Sequence, residues 1–330
     1  MNVDAFSDSV ALADLADWQG DLTPDGTLSY TRQHYQWGRE LADSWQIAAT
    51  YRHSEHYTYD AETAEIYKYF KDSQYQISSA PKNIFLKVSQ YTAGGLKLAK
   101  WLSIAPRHRL LLTAELLKAH GLVYGQITGQ ATVSAKHDYQ YGLTADYAYS
   151  RDYLFSRPSV KSPEGIGFAL GFSLKGIINE NLTYHIEAQD VAGYIYWSNA
   201  PYTIGKVVPQ LAYIDEQGYL QTEPAISGYE GYRALYQPLI SVFDGNLQYS
   251  TNSIDYNFLY HSSYGDQQIG LGIDTYVTQA TKLNTSYWPA TSKLSIGLEF
   301  GPWQLKTGLS NPNLKSSRAV QVALSFNKLM

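Results

Sequence analysis

The 330-residue sequence contains no cysteine, which excludes disulfide frameworks, thiolate metal sites and cysteine nucleophiles. Long apolar runs are also missing, because no stretch approaches the roughly 18 to 20 continuous apolar residues that a membrane helix needs. The formal net charge is only -5 and the 25 basic residues are scattered, so the basic stripe of a nucleic-acid-binding surface is absent. The sequence therefore predicts neither a helical membrane protein nor a nucleic-acid partner.

Motifs for phosphate, dinucleotide or zinc chemistry are lacking as well: there is no P-loop, no GxGxxG after a strand and no HExxH. We therefore predict no cofactor. The residues after Met1 are acidic and lack the basic and apolar regions of a secretory signal, so we expect the chain to be a mature form.

Aromatic residues are abundant, with 30 Tyr, 7 Trp and 10 Phe in a chain whose mean hydropathy is nevertheless -0.31. Much of the sequence alternates between large apolar and small or polar residues, the period of two that places successive side chains on opposite faces of a strand. Residues 293–300 and 320–326 follow this pattern. It is clearest between Gly165 and Lys175, where the apolar face comprises Ile166, Phe168, Leu170, Phe172 and Leu174.

The length of these alternating segments distinguishes a membrane β-barrel from a soluble all-β domain. Many run about nine to fifteen residues, whereas strands of soluble domains usually have about five or six. The second face is rich in Gly, Ser, Thr, Gln and Tyr, as expected for a water-filled lumen. The sequence therefore predicts an all-β fold: a single antiparallel transmembrane β-barrel of about 14 strands (12 to 16 by the uncertainty of counting) in a bacterial outer membrane. We expect this barrel to span residues 27–330.

Residues 1–26 differ from the rest, because six aspartates precede the first basic residue, Arg32, and no alternation is evident. Two interpretations remain open. The segment is either a flexible terminus, as chain ends usually are, or a short plug folded into the pore. The plug hypothesis assigns candidate roles to Asp4, Asp8, Asp14 and Asp17.

Tyrosine clusters are the candidate ligand-binding feature. A tyrosine ring stacks on the face of a sugar while its hydroxyl exchanges hydrogen bonds with sugar hydroxyls, but tyrosine also forms the interfacial girdles of any membrane barrel. The surplus beyond what girdles need lies in a proline-containing stretch, residues 194–236, and motivates a sugar ligand. The candidate substrate-binding residues are Tyr194, Tyr196, Trp197, Tyr229, Tyr232 and Tyr236.

Other functions compete with a sugar channel. His261 and Ser263 share a strand face, as in a barrel hydrolase, although spacing alone supports that hypothesis. His53 and His56 could ligate a metal, but no matching acidic pair is evident, so we predict no metal site. An export barrel for a secreted polymer is the third possibility, with the long link from Ser198 to Asp244 as its gate.

The chain as a whole resembles the monomeric outer-membrane channels for oligosaccharides, and among them the cyclodextrin porins. The resemblance rests on length, the roughly fourteen inferred strands, abundant tyrosine and the acidic segment from Asn2 to Asp21. It includes no specific motif, and the ending at Met330 departs from the usual terminal aromatic residue. The resemblance implies passive uptake of cyclic glucans, a wide pore and an N-terminal segment that partly occludes it from within. The leading hypothesis is thus a passive channel for bulky neutral sugars, without enzymatic activity. We accordingly expect a monomer whose partners are a neutral sugar and the outer-membrane lipid.

Overall fold

The computed structural model describes residues 1–8, 12, 26–71, 75–135, 138–152, 154, 157, 160–208, 212–214, 220–222, 226–278 and 280–326. Strands dominate these residues. In chain order they are β1 (Asn2–Ser7), β2 (Leu28–Glu40), β3 (Trp45–Tyr59), β4 (Lys82–Ala105), β5 (His108–Ala135), β6 (Asp138–Tyr149), β7 (Gly165–Asn179), β8 (Leu182–Val207), β9 (Ala212–Ile214), β10 (Leu220–Thr222), β11 (Ile226–Pro238), β12 (Val242–Ser250), β13 (Ile254–Ser263), β14 (Asp266–Thr278), β15 (Thr281–Trp288), β16 (Lys293–Phe300), β17 (Trp303–Leu309) and β18 (Ala319–Phe326).

Helical structure is sparse among the described residues. The α-helix α1 (Ala61–Lys71) lies between β3 and β4, and three single 3-10 turns occur at Ala42–Ser44, Pro289–Thr291 and Leu314–Ser316. No helix among the described residues has the length and apolar character needed to cross a membrane.

Sixteen of the strands form one antiparallel sheet, and the short strands β9 and β10 pair with each other. β6 and β7 run one after the other between β5 and β8, so they share one position in the sheet. β11 and β12 likewise follow one another along β8. The described strands therefore fill fourteen positions of a closed barrel, which confirms the predicted fold class and strand number.

The barrel closes through the first strand of the chain. β1 pairs with β18 on one side and with β2 on the other, over Asn2↔Ala323 and Asn2↔His34 at one end. Asn2–Ser7 therefore belongs to the wall, which corrects the predicted boundary at residue 27 and agrees with neither interpretation of these residues, the flexible terminus or the plug. Pairing on both sides satisfies the backbone N–H and C=O groups of β1 within the sheet, as the wall of a membrane barrel requires.

The connections at the two ends of the barrel differ in length. At the end that carries both termini, where Leu324 N–H donates to Met1 O at 2.9 Å, the links are short, among them Pro106–Arg107 and Gly301–Pro302. The opposite end carries the longer link of residues 60–81 with α1, whereas residues 150–164 leave the wall between β6 and β7, beside the middle of β5. One irregularity lies inside β5, where Gly121 has a φ of +70° and forms a bulge.

The outer surface of the barrel is apolar. On β14 the odd-numbered Ile269, Leu271 and Ile273 are 54 %, 63 % and 48 % exposed, while the even-numbered residues between them are buried. β16 repeats the pattern with Leu294, Ile296 and Leu298. A closed barrel with an apolar exterior satisfies every strand hydrogen bond internally and presents only side chains to lipid. The chain is a multi-pass transmembrane β-barrel of the bacterial outer membrane, as predicted.

Removing β1 provides a test of closure. We expect deletion of residues 1–7 to abolish the folded barrel, because it leaves the edges of β2 and β18 unpaired in lipid, where each unsatisfied backbone group costs several kcal/mol. Heat-modifiable mobility on electrophoresis reports folding. The matched control replaces residues 9–25 with a short linker that keeps β1 and β2 joined, and we expect it to fold. A folded protein lacking residues 1–7 would contradict the role of β1.

Candidate channel lumen

The inner face of the wall is predominantly polar. Small residues on this face make room for large neighbours, as at Gly270, where a β-carbon would lie 2.8 Å from the ring of Trp288. Near the end that carries the termini, two adjoining cavities of about 590 and 820 Å³ occupy the lumen. Both are lined by Lys97, Glu187, Gln189, Asn246 and Gln248. We call these two cavities together the vestibule.

The smaller cavity is lined by many carboxamides. Four polar atoms in its lining are buried and have no hydrogen-bond partner within the described part of the chain: His34 Nε2, Asn246 Oδ1, Asn257 Oδ1 and Ser295 Oγ. Buried polar groups normally find partners in protein or water. The vestibule wall thus holds polar groups that form no hydrogen bond within the described part of the chain. Its carboxamide residues are Asn2, Gln36, Gln189, Asn246, Gln248, Asn257, Asn284 and Gln304.

An ion cluster joins opposite parts of the wall above the vestibule. Arg52 on β3, the third strand position, donates from Nη1 to both carboxylate oxygens of Asp190 on β8, the seventh, at 2.7 and 2.9 Å. The same guanidinium pairs with Glu115 on β5. Thr50 also donates to Glu115, and all three charged side chains are almost fully buried. These contacts cross the lumen.

The local backbone of β8 places Asp190 in this cluster. Asp190 has a φ of +55°, a left-handed conformation that aspartate tolerates better than most residues. The pairing of β7 with β8 shifts register at the same place, so the wall bulges there. Ser241, in the break between β11 and β12, donates its hydroxyl to Asp190 O at 2.8 Å and ties the bulge to the neighbouring strand position.

A second bridge is made by Tyr264 in the tight turn between β13 and β14. Tyr264 and Gly265 have φ values of +56° and +89°, as in the turns that suit the twist of antiparallel strands. The ring of Tyr264 stacks on Tyr30 with centroids 4.6 Å apart. Its hydroxyl lies 2.7 Å from Ser54 Oγ on β3. The turn thus extends an aromatic side chain across the lumen to the second and third strand positions.

A third bridge depends on Gln237, which is fully buried on β11. Its amide nitrogen donates to Ser89 Oγ at 3.0 Å and to Gln90 O at 3.2 Å, both on β4. Trp197 Nε1 donates to the amide oxygen at 3.1 Å. An apolar cluster that includes Trp197 and Leu122 surrounds the bridge. The three bridges together narrow the lumen between the vestibule and the end with the long loops.

Three of the predicted sugar-binding tyrosines lie on the outside of the barrel. Tyr194, Tyr196 and Tyr236 are exposed and alternate with the buried Ile195, Trp197 and Gln237. Their rings contact one another, with centroids 5.2 Å apart for Tyr194 and Tyr236 and 4.9 Å apart for Tyr196 and Tyr236. The structure corrects their expected place in the lumen: they form an aromatic patch on the outer face, as girdle tyrosines do.

The other three candidates are dispersed. Trp197 faces inward but is fully buried in the apolar cluster. Tyr232 lies beneath Arg157 of the loop at residues 150–164, with the guanidinium 5.3 Å from the ring centroid. Tyr229 makes an edge contact with Tyr202 at 5.9 Å. The six residues therefore do not form one binding surface.

The four aspartates of the plug hypothesis divide into two groups. Asp4 is buried in the wall strand β1, with its carboxylate 3.4 Å from the Tyr30 hydroxyl. Asp8 accepts hydrogen bonds from Thr27 N and Leu28 N and so fixes the base of the link between β1 and β2. Asp14 and Asp17 lie outside the described residues. Whether residues 9–25 occupy the pore stays a prediction.

The alternative chemistries find no assembled site among the described residues. His261 Nδ1 lies 2.7 Å from Asp244 Oδ1, but His261 Nε2 is buried with no hydrogen-bond partner there, so no serine is held against it. Groups of three or more potential metal ligands are likewise absent from the described residues. His53 instead contacts Thr92 at 2.8 Å and Glu55 at 3.1 Å.

The bridging residues were not among the sequence-based candidates. Charged residues at inward-facing positions of apolar strands, such as Arg52 and Glu115, could have indicated ion pairs inside the barrel, because an unpaired buried charge is costly. Nothing in the sequence indicated that Asp190 or Gln237 would reach across the lumen. Their partners are 138 and 148 residues away along the chain.

Comparison with known proteins finds similarity among solved structures alone. No family model and no curated protein matches the sequence. Among solved structures, the chain is similar to the TodX deltaS2S3 mutant monoaromatic hydrocarbon channel, with a TM-score of 0.45, 10% identity and coverage of 99% of this chain and 89% of that one. It is also similar to the toluene transporter TbuX of Ralstonia pickettii (TM-score 0.24, 8% identity, coverage 99% and 89%) and to the outer membrane transporter YddB of Escherichia coli (0.23, 9%, 97% and 55%).

Proposed function

We propose that the protein is a passive outer-membrane channel whose vestibule selects neutral, hydroxyl-rich solutes, with oligosaccharides such as cyclodextrins as the class to test first. The observation that carries the proposal is the set of buried, unpartnered polar atoms in the vestibule, notably Asn246 Oδ1 and Asn257 Oδ1. Sugar hydroxyls donate and accept hydrogen bonds and can replace water at such groups with little loss. An apolar solute would leave them unsatisfied, at a cost of about 1–3 kcal/mol each.

The charges of this part of the wall are consistent with a neutral solute. Lys282 lies between Asp255 and Asp274, with its ammonium 3.1 and 2.9 Å from their carboxylates. Because the cation is compensated inside the wall, this side of the vestibule presents carboxamides and hydroxyls without a ring of one sign. The proposal assigns the chain no catalytic step, and its partners are the solute and the surrounding lipid, with the protein acting as a monomer.

The proposal requires the bridges above the vestibule to open, or to leave a path beside them, during transport. A buried ion cluster can act as a barrier in the lumen, because the mutual attraction of its charges holds the side chains in one compact arrangement. In this view the Arg52 cluster sets the resting conductance. The vestibule sets which solutes enter from the end that carries the termini.

Neutralising the whole cluster tests the barrier. We expect the triple variant R52Q/E115Q/D190N to conduct more current in planar bilayers than the wild type, because the charges that hold the two walls together are removed jointly and none is left unpaired. The matched control is R39Q, at the exposed end of β2. A folded triple variant with the conductance of the wild type would show that the cluster is not the barrier.

Solute block of the ion current tests the selectivity. We expect linear glucans or cyclodextrins to interrupt the current, and the variant N246A/N257A to weaken the block by about tenfold, since two hydrogen bonds of about 0.5–1.5 kcal/mol each are lost. The variant Y194F/Y236F changes only the outer aromatic patch, so glucans should block its current as strongly as they block the wild-type current. Absence of block by every neutral glucan tested would refute the proposal.

A further inference from the structure

The larger cavity of the vestibule has a strongly basic wall. It is lined by Lys97, Arg107, Arg109 and Lys175, whereas Glu187 is the one acidic residue in its lining. The Glu187 carboxylate accepts a hydrogen bond from Gln189 at 2.6 Å. Unlike Lys282 across the lumen, neither Arg109 nor Lys175 has an acidic side chain within 4.0 Å in the portion of the chain that the structure describes.

The basic residues are aligned by strand register. Arg109 on β5 lies directly opposite Lys175 on β7, and Lys175 lies directly opposite His185 on β8. The row continues to Ser103 on β4 and Asn246 on β12. Like charges directly opposite each other on a sheet are destabilising. A row of two cations and a histidine therefore calls for a compensating group, and Glu187, the acidic residue of the lining, forms no ion pair with either cation in the described part of the chain.

Trp101 holds the two cations in place. The Arg109 guanidinium carbon lies 4.8 Å from the ring centroid of Trp101, and the Lys175 ammonium lies 4.4 Å from it. Such cation–π contacts position the charges and offset part of their desolvation, but they supply no negative charge. Ser173 fixes the neighbouring His185, whose Nε2 lies 2.8 Å from the serine hydroxyl. The row is thus ordered and still lacks an anion.

We propose that this row is a binding site for an oxyanion-bearing solute, one with a carboxylate or phosphate group. The Arg109 fork can bind two oxygens of such a group at once, and Lys175 adds a second charge-assisted hydrogen bond. The cavity of about 820 Å³ leaves room for a small organic body beside the anionic group. The site adjoins the carboxamide wall at Asn246, but its charges come from Arg109 and Lys175, so this inference does not depend on the proposed selectivity for neutral sugars.

Calorimetric titration of the purified, detergent-solubilised protein at low salt tests the site, with succinate and inorganic phosphate as separate probes. We expect saturable binding of at least one probe, and the tighter one identifies the anionic group. The variant R109Q/K175Q should bind at least about tenfold more weakly, because both charges are lost. Removing two adjacent like charges relieves repulsion, so we expect this variant to fold, as heat-modifiable mobility would show.

Two further variants test whether the anion affinity depends on the positive charges of the row. K118Q removes one positive charge from the outer face of β5 and should bind like the wild type. R109K/K175R keeps both charges and should retain most of the affinity. The inference is overturned if the wild type binds neither probe, if folded R109Q/K175Q binds as well as the wild type, or if R109K/K175R loses as much affinity as R109Q/K175Q. Block by neutral glucans, measured on the same variants, should stay unchanged.

Discussion

The rest of the structure depends on the satisfaction of backbone hydrogen bonds in lipid. A strand that crosses a membrane has no water to accept its N–H groups, so the sheet must close on itself. In this chain the closure joins the two ends of the sequence, since β1 pairs with β18. The acidic composition of the first residues does not prevent this, because Asp4 faces the lumen and only alternate side chains meet the lipid.

Irregularities in the wall determine the shape of the lumen. The bulge at Asp190 and the break between β11 and β12 lie on adjacent strand positions and are joined by the hydrogen bond from Ser241. A left-handed aspartate costs of order 1–3 kcal/mol and persists only where its surroundings fix it. Here the carboxylate of Asp190 is held by Arg52 from across the lumen. Local strain and the cross-lumen ion pair therefore support each other.

The vestibule has two chemically different walls. On one, Lys282 is compensated by two carboxylates, and the surrounding residues offer hydrogen-bonding groups without net charge. On the other, Arg109 and Lys175 share an indole ring and lack a carboxylate. Charges on opposite sides of a narrow lumen act on the same solute, because screening by salt is weaker in a confined space than in bulk water. A solute in the vestibule therefore faces compensated charge on the first wall and uncompensated positive charge on the second.

The sequence by itself determined most of the strands, the barrel and the count of about fourteen, because the face that a strand residue occupies follows from local alternation, but it did not indicate β1. It could not determine which side of the wall holds Tyr194 and Tyr196, since aromatic residues occupy both faces of β8 and a bulge interrupts the pattern. Only the tertiary structure brought Arg52 to Asp190 and aligned Arg109 with Lys175. Those juxtapositions depend on strand register and on the closure of the sheet, which couple residues far apart in the chain and leave no local signal in the sequence.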